Sequence, residues 1–183
     1  MAKRRRVHAH TSKMLHRRSC SSKLVANSSS DNSSDEDDAL EISCHNNHVY
    51  FYCDVTKQTV LKLQKVVNEL KSKYDKIVLH INSDGGCAFS GLFAMDFLDK
   101  HNVSTVAEGM CASAATFLLL GGKERGMSEH SILLIHEVSS VSPGWSKFTA
   151  MQQEMQNTEL LMSMITDIYK KRTNMAKSDI KNI

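Results

Sequence analysis

The chain has no run of 18 apolar residues, so no transmembrane helix is expected. Its N-terminus lacks the apolar stretch of a secretory signal. Its five cysteines (Cys20, Cys44, Cys53, Cys87 and Cys111) are odd in number and show no C-x-x-C spacing. That argues against a disulfide frame and for free thiols in a reducing compartment. The nine histidines include no H-E-x-x-H, and no metal site is expected. There is no P-loop and no G-x-S-x-G elbow. Residues 1–30 contain no acidic residue at all.

That last absence divides the chain. Lys3, Arg4, Arg5, Arg6, Lys13, Arg17, Arg18 and Lys23 all lie in residues 1–30, so the net charge of +3 conceals a remainder at −5. The overall pI is therefore a poor guide to the partners of the folded part, for which no nucleic acid is expected. Residues 1–38 run from basic through Ser28-Ser29-Ser30 to Asp35-Glu36-Asp37-Asp38. They offer few apolar groups to offset the entropy of ordering them, and read as a solvated, disordered tail. Two sharper readings stay open: an organelle transit peptide over 1–30, and a nuclear or nucleic-acid-binding cluster at Lys3 to Arg6. Without such targeting, the composition points to an intracellular, cytoplasmic protein.

From about residue 39 the pattern becomes globular. Val49 to Tyr52 is a β-prone run. Val60, Leu63, Val67 and Leu70 recur at helical spacing within Thr56 to Lys73. Ile77 to Ile81 reads as a strand feeding into Gly85-Gly86. Phe89, Leu92, Phe93 and Phe97 mark a helix, Val103 to Val106 a strand, Ser113 to Leu120 a helix and Ile132 to Ile135 a strand. Strands alternating with helices predict parallel β-α-β units and an α/β fold. Phe148, Met151, Met155, Met162, Ile165 and Tyr169 then recur near 3.6 residues, predicting a helix of roughly 25 residues. It either projects to contact another subunit through its methionines or buries one ordinary face.

Three features carry chemistry. Gly-Gly after a strand permits a sharp turn and exposes N–H groups that an oxyanion would accept, although alone it is a plain turn. Ser113 lies past a strand, at the start of an alanine-rich helix whose N-terminus favours negative charge, although alone it reads first as a simple N-cap. Cys111 is a rival nucleophile two residues away. His136 follows an apolar strand, a rigid mount for a general base. The order glycine pair, serine, histidine suggests an acyl-transfer site.

From about residue 48 onward the chain resembles ClpP, the proteolytic subunit of the Clp protease. The family's I-N-S-P-G-G reads I-N-S-D-G-G at 81–86, and its G-x-A-A-S-M-G reads G-M-C-A-S-A-A at 109–115. The helix and Gly-Gly-Lys that follow are similar to Phe117 to Lys123. The strand ending M-I-H-Q-P corresponds to Leu134-Ile135-His136-Glu137-Val138. The resemblance implies the ClpP/crotonase-like spiral of β-α-β units with a projecting handle helix over about 146–172. It implies Ser113 as nucleophile, His136 as general base, and the backbone N–H groups of Gly86 and Ala114 as the oxyanion hole. It further implies stacked seven-membered rings, unfolded polypeptide substrates, and no cofactor in this chain. ATP is used by a partner unfoldase of the Clp/Hsp100 type.

The sequence also departs from the family pattern. Asp84 stands where the family has proline. Val78 and His80 stand where it tends to have tyrosines of the ATPase docking pocket, and Glu137-Val138 replaces Gln-Pro. The family's triad aspartate falls after the handle, so residues 39–183 are expected to form a protease domain short of its C-terminal segment. Asp179 comes too early to match it. The expected function is a Ser-His(-Asp) endopeptidase subunit; the alternative is a catalytically weak ring subunit with an assembly role. A Ser-Lys membrane peptidase would need a lysine base and an anchor, and a crotonase-type acyl-CoA enzyme gives no reason for the Ser113/His136 pair.

Overall fold

A computed structural model describes residues 42–139 and 147–180. The chain divides after Asp38 into two units, and the described residues all belong to the second, Ala39–Ile183. The readings made for residues 1–38 lie outside the described residues.

The elements run β1 (Ile42–His45), β2 (His48–Phe51), α1 (Lys57–Lys71), β3 (Val78–Ser83), α2 (Ala88–Lys100), β4 (Ser104–Ala112), α3 (Ala115–Leu120), β5 (Arg125–Met127), β6 (Ile132–Leu134), α4 (Phe148–Arg172) and α5 (Lys177–Ile180). Strands β1 and β2 form an antiparallel hairpin, turned at Asn46 with φ +53°, which asparagine tolerates better than most residues. Strands β2, β3 and β4 are parallel neighbours, with α1 and α2 as the crossovers. This is the expected α/β spiral of β-α-β units.

The helical spacing of Val60, Leu63, Val67 and Leu70 does what it predicts: all four are buried on α1. Thr56 and Thr59 close a reciprocal capping box at its start. The sheet face beneath is built from Val49, Phe51, Leu79, Ile81, Thr105 and Ala107, all fully buried. Each large apolar side chain in this layer contributes roughly 1.5–3 kcal/mol. All six residues of α3 are buried, so the helix that follows Ser113 runs through the core.

Strand β4 is the pivot. It runs on past Val106 to Ala112, and its two halves have different partners: Thr105 to Ala107 pair with β5, Met110 to Ala112 with β6. Between the halves lie Gly109 at φ +66° and a register shift against β3. The Asn82 side chain fills that irregularity, its Oδ1 accepting from the Met110 N–H at 3.0 Å. A Cβ on Gly109 would stand 2.9 Å from the same oxygen.

Several predicted boundaries move, two of them beside the site. Strand β6 ends at Leu134 rather than Ile135: the bond from the Ser113 N–H to the Leu134 carbonyl at 2.8 Å is the last of its parallel ladder with β4, which pairs Ala112 with Leu134. Helix α3 begins at Ala115 rather than Ser113, because Ser113 has φ +52°, outside the helical region. The start of the handle at 146 lies outside the described residues, and α4 begins at Phe148. Of its 25 residues only Ile165 and Tyr169 are buried, whereas Phe148, Met151, Met155, Leu160 and Met164 are exposed. Its C-terminal part packs Leu161, Ile165, Ile168 and Tyr169 on the core, while Phe148, Met151 and Met155 at its start are exposed.

Candidate active site

A cavity of about 410 Å³ opens where β3, β4 and β6 end, lined among others by Gly86, Cys87, Ser113, Ala114, His136 and Tyr169. All four residues singled out from the sequence (Gly86, Ser113, Ala114 and His136) therefore face one space.

The glycine turn is built against the serine turn. The N–H of Val55 donates to the Gly85 carbonyl at 2.7 Å, and the Val55 carbonyl accepts from Cys87 N–H at 2.8 Å, a parallel bridge to Gly86. In such a bridge the N–H of the central residue points away from its partner. The Gly86 N–H donates to none of the described residues. Gly85 and Gly86 have φ +103° and +142°. A Cβ on Gly85 would lie 2.7 Å from both the Ala112 carbonyl oxygen and Ser113 Cβ, and one on Gly86 2.5 Å from the Val55 carbonyl oxygen. Glycine is therefore required at both positions by conformation and by space. The Ser83 hydroxyl accepts the Gly85 N–H at 3.2 Å, holding the turn that Asp84 occupies.

Ser113 is half-buried, and its side chain makes no hydrogen bond to a described residue. The N-cap of α3 is Ala114, with no side-chain cap, so the simple N-cap reading of Ser113 does not hold. Its own carbonyl accepts from the Thr116 N–H at 3.0 Å and the Thr116 hydroxyl at 2.6 Å. The Ala114 N–H, like that of Gly86, has no acceptor among the described residues.

His136 is exposed and lies two residues beyond β6, not at the strand's end. Its Nδ1 donates to the Glu137 carbonyl oxygen at 2.6 Å. That bond fixes the proton on Nδ1 and leaves Nε2 as the acceptor, the tautomer a general base needs. No hydrogen bond joins His136 to Ser113 in this structure, and catalytic hydrogen bonds in ligand-free enzymes commonly tighten only when substrate binds.

Cys111, the rival nucleophile, is fully buried, and burial pushes its thiol up to about 12. It is an inert core residue. Cys87, which sequence reasoning passed over, is exposed at the cavity rim. The Ser90 hydroxyl and N–H hold its thiol below the ordinary range, against a weaker opposing effect of burial. The only signal in the sequence was its position directly after the glycine pair. Asp179 lies on α5 and its carboxylate accepts from Ser178, away from this cavity. Among the described residues no group of three histidine, cysteine or carboxylate side chains is arranged to hold a metal ion.

On the opposite face of the sheet, where Val78 also lies, His80 sits in a polar cluster. The Glu108 carboxylate accepts from Tyr52 at 2.5 Å and from His80 Nδ1 at 2.7 Å, while His48 Nδ1 and His80 Nε2 lie 2.8 Å apart. Tyr50 stacks on His80 at 4.8 Å.

Comparison with known proteins agrees with this architecture. The family model described as Clp protease matches residues 30–183. A protein named "ATP-dependent Clp protease proteolytic subunit" from Chlorokybus atmophyticus is 32% identical over 126 residues, which is 66% of this chain and 55% of that protein. One of the same name from Mesostigma viride is 31% identical over 134 residues, 70% of this chain and 58% of that protein. The chain thus spans a little over half the length of these relatives. Among solved structures, an asparagine-to-aspartate mutant of ClpP1 from Listeria monocytogenes superposes with a TM-score of 0.65 at 20% identity, covering 74% of this chain and 77% of that one. Topology, motif order and family match converge, and the chain belongs to the Clp protease family.

Proposed function

We propose that this chain is a serine-type endopeptidase subunit of a Clp-like ATP-dependent protease. One observation carries the reading. Ser113, whose hydroxyl has no partner among the described residues, shares a cavity with a histidine in the Nδ1–H tautomer and with the N–H groups of Gly86 and Ala114, which donate to none of the described residues. In the proposed reaction His136 Nε2 takes the Ser113 proton as the hydroxyl oxygen attacks a peptide carbonyl. The Gly86 and Ala114 N–H groups donate to the oxyanion that forms, and His136 returns its proton to the leaving amine. Water then hydrolyses the acyl-enzyme by the same route. No cofactor enters these steps; ATP is used by an unfoldase partner, which delivers unfolded polypeptide.

Assembly into stacked rings is part of the proposal, and the exposed apolar residues of α4 support it. Val78 and His80, in place of the family's docking-pocket tyrosines, do not favour the usual ATPase docking. No helix among the described residues is long and apolar enough to cross a membrane, and we place the protein in a reducing intracellular compartment.

One observation favours a second reading, a weakly active ring subunit with an assembly role. His136 Nδ1 is bonded to a backbone carbonyl, which orients the ring but stabilises an imidazolium less than a carboxylate does. Labelling of the assembled full chain with a fluorophosphonate tests both. Stoichiometric labelling lost in Ser113→Ala and slowed in His136→Ala supports the endopeptidase. Equal labelling of wild type and Ser113→Ala refutes it, and a wild type that stays unlabelled beside an active paralogue supports the assembly role.

A further inference from the structure

We infer that Tyr169 is a positioning residue for the nucleophile, acting through Thr116; the inference rests on Ser113 being that nucleophile. Ser113 occupies φ +52°, a conformation that a residue with a Cβ holds only where its surroundings impose it. Two groups hold its backbone: the Leu134 carbonyl accepts its N–H, and Thr116 donates twice to its carbonyl. The Thr116 hydroxyl has a single proton, and the 2.6 Å bond to Ser113 uses it. Its 2.5 Å contact with the Tyr169 hydroxyl is therefore made with Tyr169 as donor.

The result is a directed chain, from Tyr169 O–H to the Thr116 oxygen and from Thr116 O–H to the Ser113 carbonyl. Tyr169 and Thr116 are 2% and 3% exposed, so water does not compete for either bond. Burial pushes the Tyr169 hydroxyl up to about 12, so it stays protonated and able to donate across the working range. Tyr169 belongs to the last turn of α4. Three residues on, Arg172 donates to the Leu120 carbonyl at 3.2 Å and pairs with Asp99 at 2.7 Å. One turn of α4 thus clasps both ends of α3, and only its Tyr169 end is linked, through Thr116, to the serine.

In the full chain, Tyr169→Phe keeps the ring packing and removes the donor, and Thr116→Val removes the link. Each is expected to slow fluorophosphonate modification of Ser113 roughly tenfold, the scale of a displacement of a few tenths of an ångström. The double variant should be no slower than the slower single one, because both break one chain. Thr116→Ser restores the hydroxyl and should label within about twofold of wild type. Arg172→Ala is the control for mere stability: it loosens the other end of α3 and lowers the melting temperature without slowing labelling. Amide hydrogen exchange supplies a readout independent of activity. The Thr116 N–H, which donates to Ser113, should lose protection in Tyr169→Phe and keep it in Arg172→Ala. Wild-type labelling in Tyr169→Phe, or unchanged Thr116 protection there, overturns the inference. Should the wild type itself not label, the endopeptidase reading fails, and the exchange result alone decides the role of Tyr169.

Discussion

Gly85→Ala is the sharpest test of how the two motifs depend on each other. The new Cβ would lie 2.7 Å from the Ala112 carbonyl oxygen and from Ser113 Cβ, and 3.1 Å from the Ala114 nitrogen. Ordinary contact begins near 3.4 Å, so the serine turn must retreat by about 0.7 Å or the glycine turn must open. Opening is resisted by the bridge to Val55 and the bond from Gly85 N–H to Ser83. A φ of +103° adds roughly 1–3 kcal/mol of backbone strain for any side chain. With the steric term, we expect a loss of about 2–4 kcal/mol in urea unfolding. The displacement falls directly on Ser113, and a misplacement near 1 Å costs on the order of 100-fold in rate. Fluorophosphonate labelling, measured well below the unfolding midpoint, should therefore fall by roughly 30- to 100-fold. Labelling at the wild-type rate in a folded Gly85→Ala protein would refute the claim that Gly85 sets the position of the nucleophile.

Two further predictions concern charge. Although burial opposes it, hydrogen bonds from Tyr52 and His80 hold the Glu108 carboxyl below its usual 4.5. A lowered folded-state value contributes stability above about pH 4.5, lost as pH falls through that lower value. Glu108→Gln should therefore reduce stability by about 1 kcal/mol at pH 6–7 and flatten the fall between pH 5 and 3; parallel pH–stability curves for the two proteins would contradict this. For the thiols, peptide mass spectrometry after brief iodoacetamide treatment at pH 7.5 should find Cys87 modified first and Cys111 unmodified until the protein unfolds. Early modification of Cys111 in the folded protein would show that its burial is wrongly described.

What could be read in the sequence was whatever left a period or a punctuation mark. The α1 face is legible because four apolar residues recur at helical spacing and one face is buried. Strand β3 is legible because an apolar run meets Gly85-Gly86. Strand β5 leaves no such trace: Arg125, Gly126 and Met127 are all exposed, and the strand is held by pairing to β4 and by the Arg125 side chain on the Arg172 carbonyl. Strand β1 has one buried residue, Ile42, and depends on a hairpin partner for its conformation. The displacement of His136 from the strand end was not legible because it depends on where β6 stops pairing with β4, and the last partners, Ala112 and Leu134, are distant in sequence. Asn82 and Tyr169 were visible only as a motif letter and a helical-period residue. Their polar atoms acquire roles once a bulge and a neighbouring helix bring Met110 and Thr116 to them.

The energetics of the serine turn explain why such distant residues matter. Left-handed backbone at Ser113 costs roughly 1–3 kcal/mol. The three hydrogen bonds on its N–H and carbonyl each return about 1 kcal/mol net. The two sums nearly cancel, so the conformation is held with little surplus by its own bonds. The remainder comes from walls that deny it alternatives: Gly85 against Ser113 Cβ, and Gly91, where an added Cβ would lie 2.7 Å from the Ala114 carbonyl oxygen. Asn82 fixes the strand that leads in, and Tyr169 fixes the hydroxyl that holds the turn's exit. A nucleophile held so close to balance is set by the sum of its neighbours rather than by its own motif. Residues on β3, α2 and α4 therefore determine where the Ser113 hydroxyl points as much as the G-M-C-A-S-A-A segment does.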